Sequence, residues 1–438
     1  MSTFAQTELG ALPTDWDVER VGALFSVQQG KQVSKRYRVG NNQRPFLRTK
    51  NVLWGRLDLN DLDQMHFTEA EEQRLSLHRG DLLVCEGGDI GRTAIWRNGV
   101  ARCYYQNHLH RMRPRDAAKV DPEFAMFWLW YAFEVGGVYF GRGNVTTIPN
   151  LSRSRLCELP LPLPSLTEQR RITGVLALLQ QAITQQERLL AVTQELKRAV
   201  LAQLFTQGLH HEPQKQTGLK AIPQSWEVVE LGSAVEQIDY GISAPIPKAP
   251  PKNGVKIVST ADITKDGRLL YDQIRRIEAS AKTVKRLTLQ SGDVLFNWRN
   301  SAELIGKTAV FDEQPEAHVF ASFILRIKCG EKKSHNFFLA QLMNHFREIG
   351  VFVKLARRAV NQANYNRNEI SVLKIPLPSY AEQREIAAAI AAVDRKIEHH
   401  RRKHAALSAL FRTLLHELMT ARIRIHDTDL RPVEVCAR

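Results

Sequence analysis

Toward the end of the chain, apolar side chains recur at Ile386, Ile390, Val393, Ile397, Leu407, Phe411, Leu414 and Leu418, and His400 and His404 hold the same phase. The steps alternate between four and three residues, the heptad signature of a helix that pairs lengthwise with another. The same spacing stands 214 residues earlier, at Ile172, Leu176, Leu179, Ile183, Gln186, Leu190, Thr193, Lys197, Val200 and Leu204. Both seams are apolar at their ends and polar in the middle. Laid antiparallel, two such helices would bring their polar centres together, where a few hydrogen-bonding groups fix register at some cost in stability. A polar patch facing solvent or another subunit is the equal alternative. Each pattern begins behind a Pro-Ser pair, Pro164-Ser165 or Pro378-Ser379, with Glu168 or Glu382 in the first turn, where a carboxylate suits the helix dipole. From Glu168 to Thr206 and from Glu382 to Thr420, about 39 residues at 1.5 Å each predict helices of roughly 58 Å, a spacer's length.

What precedes each helix is also written twice. "LPLPSLTEQRRI" (161–172) returns as "IPLPSYAEQREI" (375–386), "LPTDWDVERVG" (12–22) as "IPQSWEVVELG" (222–232), "LSLHRGDLLV" (75–84) as "LTLQSGDVLF" (287–296), and "IGRTAIW" (90–96) as "IGKTAVF" (305–311). Order is kept while offsets drift by a few residues, so the chain is two copies of a unit of about 210 residues, too long for a solenoid repeat. Short apolar and β-branched runs ("GDLLVCEGG", "RTAIW", "FILRIK") alternate with Gly, Asn and Asp turns, as strands do. Helical stretches follow at 121–133 and 336–346, so the expectation is two tandem α+β domains with a curved or partly closed sheet, each followed by a long helix.

Composition narrows the class. With 438 residues and 43% apolar content, two or more cores are expected. Against 46 acidic residues stand 61 basic ones, a net +15, which favours a polyanionic partner and nucleic acid before an anionic membrane. The predicted helices exceed one turn of B-DNA, roughly 34 Å, so they could hold two domains at sites more than a turn apart. Cys85, Cys103, Cys157, Cys329 and Cys436 make no C-x-x-C pair and read as thiols in a reducing cytoplasm. No basic-then-apolar leader and no long apolar window appears, so neither secretion nor a membrane span is expected.

Catalytic patterns are decoys. "IGKT" (305–308) ends like a phosphate loop, but the position of the required earlier glycine is Ser301, the following "AVF" reads as strand, and the sister copy has Arg92 for Lys307. "YFGRGNV" (139–145) faces the glycine-free "KLARRAV" (354–360). Neither a Cys/His metal spacing nor an H-E-x-x-H is present, and no cofactor or metal is expected in this chain. Binding groups are abundant. "QQGKQVSKRYRVGNNQRPFLRTKN" (28–51) offers Lys31, Lys35, Arg36, Arg38, Arg44, Arg48, Lys50 and Asn51. "RGNVTTIPNLSRSR" (142–155) adds Arg142, Asn144, Thr146, Thr147, Asn150 and Arg153. Its sister "RRAVNQANYNRN" (357–368) adds Arg357, Arg358, Asn361, Gln362, Asn364 and Asn366, and Arg299 joins them in the second copy. Lys and Arg neutralise phosphates, while Arg, Asn and Gln pair with base edges.

These motifs together resemble the specificity subunits of type I restriction-modification systems, over essentially the whole chain. The resemblance rests on the "LPTDW" and "IPQSW" openings, the "GDLL" and "GDVL" strands, the "PLPSLTEQRRI" and "PLPSYAEQREI" junctions and the helices behind them. It implies two target recognition domains, each reading half of a bipartite sequence in double-stranded DNA. The two helices would form an antiparallel coiled coil with pseudo-twofold symmetry that sets the gap. Boundaries are then 1–165 and 218–379 for the recognition domains, 166–208 and 380–425 for the helices, 209–217 for a linker and 426–438 for a tail. Implied partners are two methyltransferase subunits carrying S-adenosylmethionine and two restriction subunits using ATP and Mg2+, with the present chain non-catalytic, bacterial or archaeal, and cytoplasmic. Lys197 on the seam departs from an apolar pairing. The competing class is a coiled-coil scaffold with protein-binding domains and incidental charge, which weak salt dependence would reveal; a self-sufficient methyltransferase or nuclease would need activity from this chain alone.

Overall fold

The structure is a computed structural model that describes residues 3–139, 151–218, 221–247, 249, 251, 254–355, 357–359 and 362–425. The chain divides into two compact units, Met1–Glu187 with Arg402–Arg438, and Arg188–Arg401. Both long helices are present: α2 (Leu166–Gln207) and α4 (Tyr380–Met419), preceded by the shorter α1 (Pro122–Trp130) and α3 (Asn336–Glu348) respectively. At 42 and 40 residues the long pair run about 63 and 60 Å.

In the first unit four antiparallel strands stand in the order Thr93–Ile95, Leu82–Cys85, Leu109–Pro114 and Phe25–Gln29. A second sheet sets Tyr104–Tyr105 parallel to Gln43–Leu47, which pairs antiparallel with Asp63–His66. Strand Leu82–Cys85 is apolar throughout because both faces are covered. Leu82 and Val84 pack with Phe124, Phe127 and Trp128 of α1, whereas Leu83 and Cys85 pack with Phe46, Leu47 and Tyr105 of the other sheet. Helix α1 begins at a sequence-coded start: Asp121 Oδ1 accepts from the amides of Glu123 (2.7 Å) and Phe124 (3.3 Å), and Pro122 occupies the first turn. It then loosens into a π-turn, Tyr131–Val135.

The second unit repeats this topology. Its strands run Val235–Tyr240, Ile324–Cys329, Val294–Asn297 and Thr308–Val310, and Val255–Val258 stands between Arg275–Ile277 (antiparallel) and His318–Phe320 (parallel). Val294 and Phe296 again face α3, and Leu295 the smaller sheet. In each unit a two-stranded ribbon joins the opening segment to the junction, Asp17–Arg20 with Pro160–Leu163 and Glu227–Glu230 with Lys374–Leu377.

Within each unit, part of α2 lies antiparallel to part of α4. In the first, Arg171 reaches the carbonyl of Ile425 (3.4 Å) while Glu187 meets His404 (3.4 Å). In the second, Lys197 pairs with Asp394 (2.8 Å), and the Leu209 amide donates to Glu382 Oε1 (3.3 Å). Every seam position read from the heptads is buried or half-buried, and Leu201, Phe205, Ala387, Leu415 and Met419 join them. The polar centre is inside as well. Gln186, Thr193 and His400 are buried, and Lys197 is neutralised across the seam by Asp394, which Gln341 of α3 also reaches (3.4 Å).

Candidate nucleic-acid interface

The duplicated junction is a latch. Ser165 Oγ accepts from the Glu168 amide at the start of α2 (3.3 Å), and the Glu168 carboxylate takes the buried indole N–H of Trp16 (3.2 Å). Gln169, fully buried, accepts from the Asp121 amide (2.8 Å) and donates to the carbonyls of Lys119 (3.1 Å) and Pro164 (2.8 Å), tying the loop ahead of α1 to α2. In the second unit Ser379, Trp226, Glu382 and Gln383 reproduce each of these bonds. Trp226 donates to Glu382 (3.1 Å), and Gln383 holds the His335 amide (2.8 Å) and the carbonyls of Lys333 (3.0 Å) and Pro378 (2.9 Å). The repeated residues therefore serve attachment of each domain to its helix. The copies differ in what closes the latch: Arg424 clamps Glu168 (2.7 and 2.8 Å) and Asp15 (2.6 and 3.0 Å), which holds the Asp15 carboxyl below its ordinary range, whereas the Leu209 amide serves Glu382.

The basic segment 28–51 is less free than its composition suggests. Lys31 is buried, pairs with Glu71, donates to the His66 carbonyl (2.8 Å) and lies over the Tyr37 ring (4.1 Å). Asn51 is buried too, capping the turn at Arg48 (2.9 Å) and donating to the carbonyls of Asp58 and Asp61 (3.0 Å each). These two correct the expectation that they face a ligand: an amide or ammonium inside the fold must be satisfied internally. Arg44 pairs with Glu72, Arg48 with Asp63 and Lys50 with Asp61. Burial would raise the Glu72 carboxyl, but hydrogen bonds from Arg102, Asn42, Tyr104 and Arg44 outweigh it and hold the group at about 2. The Lys50 and Arg48 pairs sit at the rim, side chains 44% and 41% exposed, where water screens them and exchange for a phosphate costs little. Lys35 and Arg36 lie on one 3-10 turn, Lys35–Arg38.

Arg153 is exposed at the start of the helix Arg153–Glu158. Arg142, Asn144, Thr146, Thr147, Asn150 and Asn361 lie outside the described residues. Arg357 and Arg358 stand on strand Arg357–Ala359, paired with Gln362–Asn364, which carries the predicted Gln362 and Asn364 and bonds in turn to Arg299–Asn300. One small sheet thus gathers Arg299, Arg357, Arg358, Gln362 and Asn364. Asn366 caps the next helix, accepting from the Glu369 amide (2.9 Å). The "IGKT" cation is a strut: Lys307 is buried and donates to the carbonyls of Thr260 (2.6 Å) and Ile263, and its sister Arg92 donates to that of Thr49 (2.8 Å). Burial pushes the Cys85 and Cys103 thiols up to about 11 and about 12. Among the described residues, no helix is long and apolar enough to cross a membrane, and no group of three or more His, Cys, Asp or Glu is placed to hold a metal.

Arg299 aside, the candidate residues read from the sequence do not include the outer ends of the central strands, where the two units differ. In the first unit, Gln29 donates to Glu86 (3.3 Å) and to the Asn107 carbonyl (2.9 Å), with His108 beside Glu86 (3.7 Å). In the second, Trp298 meets Tyr240 and Phe323 edge-on at 5.5 and 6.2 Å, and the Arg299 guanidinium lies over the Phe323 ring at 4.9 Å. The signal was present in the repeat itself: "EGG" (86–88) faces "WRN" (298–300) between flanks that match.

Fold and surface define a duplicated α+β scaffold joined to long paired helices. The chain belongs to the type I restriction modification DNA specificity domain family, whose model matches residues 13–194 and again 223–409. It is similar to the MjaVIII type I restriction enzyme specificity subunit of Methanocaldococcus jannaschii, 22% identical over 95% of both chains. The putative MjaX specificity subunit of the same organism is 30% identical over 226 residues, 51% of this chain and about half (52%) of that relative. Among solved structures, the type I restriction-modification S subunit from M. genitalium shares the fold, with a TM-score of 0.57 at 14% identity over 92% of this chain and 96% of that one.

Proposed function

We propose that this chain is the sequence-reading subunit of a type I restriction-modification enzyme, each unit reading one half of a bipartite double-stranded DNA target. The helices set the separation of the half-sites and dock two methyltransferase subunits, which carry S-adenosylmethionine; two restriction subunits supply ATP- and Mg2+-dependent translocation and cleavage. The observation that carries this reading is one topology built twice, with the same Trp, Ser, Glu and Gln bonds latching each copy to its helix and dissimilar outer strand ends. A shared scaffold with divergent surfaces is what two readers of different sequences require. The basic excess of the chain suits the phosphate contacts that position such readers.

The test is adenine-methylation mapping of DNA from cells expressing this chain with its methyltransferase partner, against cells expressing the methyltransferase alone. The expected result is a split motif present only with the chain, of which one half changes when residues 1–165 are exchanged for another reader's domain. A methylation pattern indifferent to the chain rejects the reading. Binding of the assembled complex should also fall about 10³- to 10⁵-fold between 50 and 200 mM salt if 6 to 10 phosphates are contacted.

A further inference from the structure

The outer strand ends of the two units occupy the same place in the same backbone. Gly30 and Gly241 mark it: a side chain on Gly30 would collide with the carbonyls of Tyr105 and Gln106, and one on Gly241 with those of Phe320 and Ala321. From these glycines the hydrogen bonds match link by link. The backbone amide of Asn107 donates to the Lys31 carbonyl as that of Ser322 does to Ile242; the Glu86 amide donates to the His108 carbonyl as Trp298 does to Phe323; and the Leu151 amide donates to the Glu86 carbonyl as Tyr365 does to Trp298. Gln29, Glu86 and His108 therefore stand where Tyr240, Trp298 and Phe323 stand in the second unit.

Behind them the apolar packing positions are kept, Leu82 with Val294, Val84 with Phe296 and Leu109 with Ile324, although Cys85 corresponds to Asn297 and His110 to Leu325. The outward residues diverge as a group, from a carboxylate, an amide and an imidazole to three aromatic rings. Phe323 is 44% and Tyr240 40% exposed, an apolar surface that solvent alone does not favour. A cation lies on it: the Arg299 guanidinium covers the Phe323 ring, while the backbone amide of Arg367 holds the Tyr240 hydroxyl (2.8 Å). An aromatic patch framed by arginine complements a partner that offers an apolar group within a polyanionic frame. In the DNA major groove that group is the C5 methyl of thymine, whereas a carboxylate and an amide suit an exocyclic amino group of cytosine or adenine.

Resting on the DNA-recognition reading above, we infer that Phe323, with Trp298, Tyr240 and Arg299, reads a thymine methyl in the second unit's half-site, and that Glu86 and Gln29 read an amino edge at the equivalent place in the first. The two units thus share a docking geometry and differ in specificity through the residues at these strand ends.

The experiment replaces each thymine of the mapped target by uracil, one at a time, in duplexes bound by the complex of this chain with its methyltransferase partner. Loss of the methyl at one position of the second half should weaken binding about threefold to tenfold, the value of one buried methyl-sized group. Phe323→Ala should weaken binding of the unmodified duplex by a similar factor and abolish the difference between thymine and uracil. The uracil scan needs no variant, so a folding defect in Phe323→Ala does not decide the matter. Sequence-specific binding that tolerates uracil throughout the second half, or a uracil effect that persists undiminished in well-folded Phe323→Ala, overturns the inference and leaves the DNA reading intact. Absence of any sequence-specific binding overturns both.

Discussion

Gln383 offers the sharpest test of how the α+β part of the second unit is fixed to its helix. The side chain is fully buried and makes three hydrogen bonds to backbone groups, the His335 amide and the carbonyls of Lys333 and Pro378. Gln383→Met keeps the length and nearly the volume of the side chain while removing every one of those bonds. Each backbone group orphaned in the interior costs about 1–3 kcal/mol, and partial relaxation makes the sum less than additive, so a total near 3–5 kcal/mol is expected. For a unit of this size, about 2–4 °C per kcal/mol converts that into a Tm lower by roughly 6–20 °C. Thermal and urea unfolding, read by tryptophan fluorescence, would measure it, with Arg384→Met as the exposed control, expected within about 0.5 kcal/mol of the parent. Gln169→Met should act in the same way on the first unit. A loss below about 1 kcal/mol for Gln383→Met would mean that the bonds are exchanged for water at no cost, and would refute the latch.

Lys197→Met strands Asp394 within the helix pair and should cost about 1–3 kcal/mol, part of which returns in the double variant with Asp394→Leu; a double-mutant cycle that shows coupling below about 0.3 kcal/mol would sink the claim that the pair neutralises the seam. Glu72 titrates near 2 when folded, against an ordinary 4.5, so its contribution to stability is fully present above about pH 4.5 and fades as pH falls toward 2. Urea midpoints of the first unit between pH 5 and 2.5 should therefore fall less steeply in Glu72→Gln than in the parent, and parallel curves would contradict the assignment. Gly241→Ala should destabilise the second unit by more than about 2 kcal/mol, since a Cβ there would overlap two carbonyl oxygens; an unchanged urea midpoint would show that the strand end can shift.

Much of this architecture is local enough to be written in the chain. Heptads alone place the seam from Ile172 to Leu204 and from Ile386 to Leu418, because an apolar residue on one helical stripe has nowhere to go but a lengthwise partner. The alternation of strands and turns, and the duplication itself, are likewise periodic or self-similar signals. What the pattern leaves open is decided by contacts between residues far apart in sequence. Charge counts cannot distinguish a free lysine from a paired one, and only the packing of Glu71 against Lys31, and of Asp58 and Asp61 around Asn51, turns two apparent ligand contacts into interior struts. Nor does the motif "TEQR" disclose that its glutamine grips a loop 48 residues away, or that Arg424 closes the same latch from 256 residues beyond Glu168. The outer strand ends combine both cases: the mismatch of "EGG" with "WRN" is legible in the repeat, but that Gln29, Glu86 and His108 converge in one unit, as Tyr240, Trp298 and Phe323 do in the other, follows only from the strand order. Sequence fixes what depends on period and neighbour, and tertiary structure decides which polar groups remain available, because burial and partnership are properties of the folded whole.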